Sequence, residues 1–265
     1  MQTTVVVLAA GQGRRMGADV NKIFLDLGGK PVLAHSLLLF ERLEQVDQII
    51  VVAAAGEIEQ IQQLLARYGI SKAGIVVEGG STRLRSVAAA LPYISCTAEL
   101  VAVHDGARPL LEEADFLAVL QAASAPDVSG AILAAPVTDT IKTVRPQEDD
   151  AGAVIGLVSG TLQRELLWRA MTPQVFAIEP FIEAYSGLNK DFTDDAALLE
   201  AGGAAVALVR GSERNLKITT AFDLRLAELL LAEMPADTQS DVPADLQADL
   251  QADLQADLQK ESVDK

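Results

Sequence analysis

Cysteine occurs once in this chain of 265 residues, at Cys96, and histidine twice, at His35 and His104. A lone thiol excludes an internal disulfide, and two imidazoles so far apart in sequence offer no cluster for structural zinc. Long hydrophobic runs are missing too: half the residues are apolar, yet no stretch approaches the roughly 18 needed to span a bilayer. The first apolar stretch, Val5–Ala10, lacks the basic flank and small-residue cleavage site of a signal peptide, so a cytoplasmic location is expected. Positive charge is scarce. A net charge of −16 argues against nonspecific binding to nucleic acid, whose phosphates such a surface repels. Neither nucleic acid nor membrane is an expected partner.

The charge is unevenly spread. Residues 236–265 hold eight acids against Lys260 and Lys265, which places −6 of the −16 there and leaves −10 for the body. This tail repeats ADLQ four times between Ala244 and Gln259, with leucines at 246, 250, 254 and 258. A period of four drifts around a helix, and aspartates at i, i+4 repel one another. The segment reads as a low-complexity acidic appendage, a helical oligomerisation segment being the alternative. The domain is expected at 1–235 and the tail at 236–265.

Within the body, Thr3–Leu8, Gln48–Ala53, Gly74–Glu78, Glu99–Val103 and Gly130–Ala135 are short, nearly continuous apolar runs, as in strands covered on both sides. Helical patterns lie between them near 31–44, 56–67, 82–91 and 112–123. This alternation predicts an α/β fold with a parallel sheet and helices on both faces. From Val137 to Gly160 the rhythm becomes alternating polar and apolar, broken by PQEDDAG, which predicts a projecting hairpin arm needing a partner subunit as cover. Beyond it the pattern predicts helices near 162–170, 179–187, 194–201 and 220–233, and strands near Val175–Ala177 and 204–208.

Ligands in such sheets bind at the carboxyl ends of the strands. The first strand runs into AAGQGRRMG (9–17), where Gly11, Gly13 and Gly17 permit close backbone approach to phosphate oxygens. The spacing GxGxxxG, with Arg14 and Arg15 inside it and no acid after the second strand, fits a nicotinamide site poorly, and the Walker ending GK[ST] is absent. Asn21-Lys22 follows at once. Several cations close to a glycine-rich turn suit a triphosphate, although each alone could serve as a solvated loop residue. Lys30, in the GGKP turn, reads as solvated.

After the third strand, EGGSTRLRSV (78–87) supplies Gly79-Gly80 as a sharp turn and Ser81 as N-cap of the next helix, with Arg83 and Ser86 on one face. The fourth strand ends in VHDGARP (103–109). Asp105, at the end of a buried strand, is costly to place unless it holds Mg²⁺, a hydroxyl of ribose or substrate, or a partner such as Arg108. His104 is expected to point into packing.

These segments, with NKIFLDLGGKPVLAHS, APVTDTIK, LLWRAMTPQ, FTDDA and NLKIT, follow one another in an order and spacing that resemble the 2-C-methyl-D-erythritol 4-phosphate cytidylyltransferase family. The resemblance runs from Val5 to about Leu231. It implies a doubly wound, Rossmann-like nucleotidyltransferase fold with a dimerisation arm at about 137–160. It also implies an enzyme that joins CTP to a polyol phosphate with Mg²⁺ or another divalent cation. By the same resemblance, Arg15 and Lys22 stabilise the transition state at the α-phosphate. Ala10, Gly11 and Gly13 align with the triphosphate site, and Gly80, Ser81, Ser86, Asp105 and Gly106 with the cytidine site. On the acceptor side it implies Asp105, Arg108, Thr193 and Lys217, together with Thr140 and Arg164 reaching across from the other subunit of a homodimer with composite sites. Thr193 and Asp194 read equally as a helix cap, and Lys217 as a solvated residue at the end of a short strand.

Two departures stand out. Gly106 takes a place where alanine is common in the family, and Arg164 is flanked by Gln163 and Glu165 rather than aspartate and asparagine, which leaves Arg169 as the fallback phosphate ligand. Two other functions stay open. One is a cytidylyltransferase for another polyol phosphate such as ribitol 5-phosphate. The other is a non-catalytic nucleotide-binding protein, against which Arg15, Lys22 and Lys217 speak.

Overall fold

The computed structural model describes residues 2–11, 21–148, 154–188 and 190–234. Gly13, Arg14, Arg15, Gly17 and the ADLQ tail lie outside the described residues. The chain runs β1 (Thr3–Leu8), β2 (Asp26–Leu27), β3 (Lys30–Pro31), α1 (Val32–Arg42), β4 (Val46–Ala53), α2 (Ile58–Arg67), β5 (Ile75–Glu78) and α3 (Arg83–Ala90). It continues through β6 (Leu100–Asp105), α4 (Glu113–Ala123), β7 (Gly130–Pro136), β8 (Lys142–Glu148) and β9 (Val154–Thr161). The last elements are β10 (Trp168–Ala177), α5 (Ile178–Ser186), α6 (Asp195–Ala201), β11 (Val206–Arg210) and α7 (Ala221–Ala232).

The expected doubly wound α/β sheet is present, with strand order β11-β7-β10-β6-β1-β4-β5. Successive strand residues face opposite sides, so the apolar runs feed two cores at once. Val5 and Val7 of β1 join Leu33, Leu37 and Phe40 of α1, Ile61 of α2 and Phe116 of α4. Val6, between them, joins Leu84 and Val87 of α3, Phe181 of α5 and Leu199 of α6 on the other side. Each such side chain, wholly buried, contributes about 1.5–3 kcal/mol of apolar transfer free energy. A third cluster, Leu27, Val32, Leu110, Ile218 and Ala227, ties α7 and the preceding loop to the body.

The sheet departs from all-parallel at one strand. β10 runs antiparallel between β6 and β7, and its length overturns the helix expected near 162–170. Only Arg164–Leu166 is helical there, as one 3₁₀ turn. The spacing of Leu162, Leu166 and Ala170 is helical, but Trp168–Ala170 pair with Ala134–Pro136 of β7 as the start of β10, and tertiary pairing overrides a weak local preference.

β8 and β9 form the expected hairpin arm, an antiparallel pair separate from the main sheet. Val144, Leu157 and Val158 on it are exposed. Among the described residues no helix is long and apolar enough to cross a membrane.

Candidate active site

β1 has β4 on one side and β6 on the other, so the winding direction reverses at β1. A crevice opens outside the carboxyl ends of the strands at such a reversal. A cavity of about 610 Å³ lies there, and its lining includes Ala10, Gly11, Lys22, Gly80, Ser81, Ser86, Asp105 and Lys217. Residues more than 200 positions apart in sequence thus meet in one place.

Local chemistry explains each position. Asn21 caps the short 3₁₀ turn that begins at Lys22, accepting from the Ile23 N–H, while its Nδ2 donates to Glu57 Oε2 at 2.9 Å. Ile23 is buried in the core next to α1. The two neighbours therefore fix Lys22, itself almost fully buried, at the cavity wall. Gly79 and Gly80 matter for close approach. A Cβ at Gly79 would lie 2.7 Å from the Ala10 Cβ, and one at Gly80 2.5 Å from the Arg85 Cβ. The cap of α3 is Thr82 and not Ser81: Thr82 is extended, and its Oγ1 accepts from the Arg85 N–H. Ser81 is displaced one residue outward, exposed at the cavity mouth. The Ser86 hydroxyl donates to the Thr82 carbonyl at 2.9 Å.

Asp105 ends β6 among three cations. Its Oδ2 lies 2.9 Å from Lys217 Nζ and 3.6 Å from Arg108 Nε, and its Oδ1 lies 3.9 Å from Arg83 Nε. Burial pushes its pKa up. The charges of Lys217, Arg83 and Arg108 and the Lys217 hydrogen bond outweigh burial and hold it at about 2. Lys217 sits in a loop, not at a strand end. That loop is pinned on both sides: Asn215 Nδ2 donates to the Thr172 carbonyl at 2.8 Å, the Asn215 carbonyl accepts from Arg108 Nη1 at 2.7 Å, and the Ile218 N–H donates to the Ala107 carbonyl at 2.8 Å.

His104 is packed inside, as expected, edge-on to Phe40. Burial lowers its pKa to about 4, so the ring is neutral near pH 7. One tautomer satisfies all its contacts. Nε2–H donates to the Arg108 carbonyl at 3.3 Å and Nδ1 accepts from the Thr172 hydroxyl at 3.3 Å, whose oxygen accepts the Asp105 N–H at 3.0 Å. His104 thereby braces the turn between Asp105 and Arg108.

Other expected residues lie elsewhere. Gly106 sits beneath the cavity, its N–H donating to the Leu8 carbonyl at 2.9 Å. Arg108 backs Asp105 from behind. Thr193, Thr140, Arg164 and Arg169 are exposed, and none lines the cavity within one chain. Arg164 Nη1 donates to the Thr138 carbonyl at 2.9 Å. Asp194 caps α6, accepting from the Ala197 N–H at 2.9 Å. Lys30 is buried, not solvated, because β2 and β3 fold its turn back against the body.

The family model for 2-C-methyl-D-erythritol 4-phosphate cytidylyltransferase matches residues 3–233. The chain belongs to this family. A 2-C-methyl-D-erythritol 4-phosphate cytidylyltransferase of Halalkalibacterium halodurans is 43% identical over 236 residues, covering 88% of this chain and 98% of its own. That of Symbiobacterium thermophilum is 42% identical over 233 residues, covering 87% and 93%. Among solved structures, a 4-diphosphocytidyl-2C-methyl-D-erythritol synthase of Anaerococcus prevotii superposes with a TM-score of 0.71 at 29% identity, covering 87% of this chain and 98% of its own. The Thermus thermophilus cytidylyltransferase gives 0.67 at 30%, covering 88% and 100%.

Sequence reasoning left Arg83 and Asp195 outside the site. Arg83 lines the cavity, and its Nη1 lies 2.6 Å from Asp195 Oδ2 across 112 residues of chain. Asp195 is wholly buried and accepts a hydrogen bond from the Tyr185 hydroxyl, whose pKa is pushed up by burial beside that carboxylate. The doubled acid in FTDDA was the available signal, since a single aspartate suffices for a cap.

Proposed function

We infer that this chain transfers the cytidylyl group of CTP to 2-C-methyl-D-erythritol 4-phosphate in isoprenoid biosynthesis. An oxygen of the acceptor phosphate attacks the α-phosphorus of CTP, and the bond from that phosphorus to the bridging oxygen toward the β-phosphorus breaks. The products are 4-diphosphocytidyl-2-C-methyl-D-erythritol and pyrophosphate. The reading is carried by the convergence of Lys22 with the Asp105–Lys217 pair on one cavity at the strand ends, in a member of this family. Such a site works by positioning and by fixed charge, which cost no reorganisation as negative charge shifts to the leaving pyrophosphate.

Lys22, fixed by Asn21 and Ile23, is placed to neutralise the reacting phosphates, with Arg15 in the same role. The amides of Ala10, Gly11 and Gly13 cradle the triphosphate. Gly80, Ser81 and Ser86, around the start of α3, take the cytidine, and Asp105 and Lys217 take the acceptor hydroxyls and phosphate. Among the described residues no group of three or more histidines, cysteines and carboxylates could hold a metal ion. Asp105 is the one carboxylate among the described lining residues. That donor set fits Mg²⁺ carried largely by the triphosphate, since this ion keeps its waters and takes one or two carboxylates. Bound there with Asp105, it would offset triphosphate charge.

The protein acts as a cytoplasmic homodimer in which Thr140 and Arg164 of one arm complete the neighbouring site. The exposed apolar residues of β8 and β9 support this reading. Purified protein given CTP, Mg²⁺ and either methylerythritol phosphate or ribitol 5-phosphate should release pyrophosphate with the first acceptor only. Equal release with the second would reassign the acceptor, and release with neither would sink the activity.

A further inference from the structure

We propose that Arg83 is a further ligand for a phosphate oxygen of bound substrate, and that Asp195 is the positioning residue that aims it. The inference rests on the activity inferred above but concerns residues which that reading does not use. Arg83 opens α3 at the cavity wall. Its Nη1 is committed to Asp195, and its Nε lies 3.9 Å from Asp105, too far for a hydrogen bond. Its Nη2 is buried and has no hydrogen-bond partner among the described residues. A buried guanidinium donor left unmet is costly unless something fills it.

Charge points the same way. Asp105 and Asp195 supply two negative charges, while Arg83, Arg108 and Lys217 supply three positive ones in contact with them or with one another's partners. The surplus calls for an anion, and a planar guanidinium matches phosphate oxygens better than it matches a hydroxyl. Asp195 has a narrower task. It is fully buried and touches neither Asp105 nor the cavity, and its contacts are Arg83 and the Tyr185 hydroxyl. A buried ion pair is weak as a stabilising device, whereas this one restricts the Arg83 rotamer from behind, with Tyr185 restricting Asp195 in turn.

The phosphate could belong to the nucleotide or to the acceptor, and kinetics separate the two. Arg83→Gln, Arg83→Lys, Asp195→Asn and the Arg83→Gln/Asp195→Asn pair would be assayed with each substrate varied in turn, alongside calorimetric titration with CTP alone. Arg83→Gln should raise one KM by about tenfold or more, the range expected for loss of a charged hydrogen bond, with Arg83→Lys intermediate. A matching fall in CTP affinity assigns the nucleotide phosphate; unchanged CTP affinity with a raised acceptor KM assigns the acceptor. Asp195→Asn should raise the same KM, and the double variant should be no worse than Arg83→Gln.

Folded Arg83→Gln protein with both KM values and CTP affinity within about twofold of wild type would overturn the proposal, a change that small being under half a kcal/mol. Independent, multiplying effects of the two substitutions would remove Asp195 from it. Wild-type protein silent with CTP and acceptor would sink the activity instead. Titrations of wild type and Arg83→Gln with CTP, with methylerythritol phosphate and with inorganic phosphate would then decide, unchanged affinity for all three overturning the role of Arg83.

Discussion

Lys217 Nζ lies 2.9 Å from Asp105 Oδ2, at the point where the loop before α7 closes over the end of β6. The pair joins two motifs 112 residues apart and sets the pH response of the site. Asp105 has its pKa depressed from 3.8 to about 2, so its ionised form favours the fold. That contribution is complete above 3.8 and is lost as pH falls through about 2. His104 also acts on the acid side, because burial lowers its pKa from 6.5 to about 4. The unfolded chain then binds the extra proton between those values, and stability falls as pH drops through that window. Urea midpoints measured against pH should show both limbs. His104→Gln should flatten the upper limb, and Lys217→Ala should move the lower one to higher pH while cutting turnover by about 10²-fold. A Lys217→Ala enzyme with an unmoved lower limb would break the assigned coupling.

Gly106 is matched to Leu33. A Cβ at 106 would fall 2.7 Å from Leu33 Cδ1 and 3.1 Å from the Leu8 carbonyl oxygen, and Leu33 is wholly buried. Alanine here should therefore destabilise the chain by about 1–3 kcal/mol, the usual range for overpacking. Leu33→Val removes the offending methyl. The double substitution should be more stable in thermal denaturation than Gly106→Ala alone; simple additivity of the two losses would show that the clash is relieved elsewhere.

What could be read from the sequence was whatever chemistry writes locally. Thr3–Leu8 is a nearly continuous apolar run, and that continuity predicted β1 inside a covered sheet, where Val5 and Val7 face one core and Val6 the other. Asp105 announced itself as a charge at the end of an apolar strand. The end of β10 was legible as a strand near Val175–Ala177, but its first residues carry helical spacing and become strand by pairing with β7. Spacing could not pair Arg83 with Asp195. Their contact exists because α3 and α6 pack on the same side of the sheet. The sequence pointed to Ser81 as the cap, and the extended backbone at Thr82 moved it one residue on.

Lys22 should show its role in turnover more than in affinity. Lys22→Ala is expected to lower kcat by about 10²-fold with a smaller change in CTP affinity, because its contact strengthens as charge moves toward the leaving pyrophosphate. Arg15→Ala should behave alike. Steady-state kinetics beside calorimetric titration with CTP separates the two quantities, and near-normal kcat in either variant would withdraw its assignment.

The arm gives the most demanding test, since it links assembly to chemistry. Arg164 and Thr140 are exposed and lie outside the cavity of their own chain, so in a composite site they would serve the neighbour. Arg164→Ala would then damage only the partner's site, whereas Lys22→Ala damages the site on its own chain. In a mixed dimer of these two inactive parents both lesions fall into one cavity. The other cavity combines the native Lys22 of the Arg164→Ala chain with the native Arg164 of the Lys22→Ala chain. Activity per dimer should recover toward half that of wild type, and if exchange is random only half the dimers are mixed, so about a quarter should return overall. That fraction follows from counting sites, provided each works independently. Mass spectrometry of differently tagged subunits would establish exchange. Exchange without recovery would mean that the arm serves its own chain, or that it holds the dimer together without entering the chemistry.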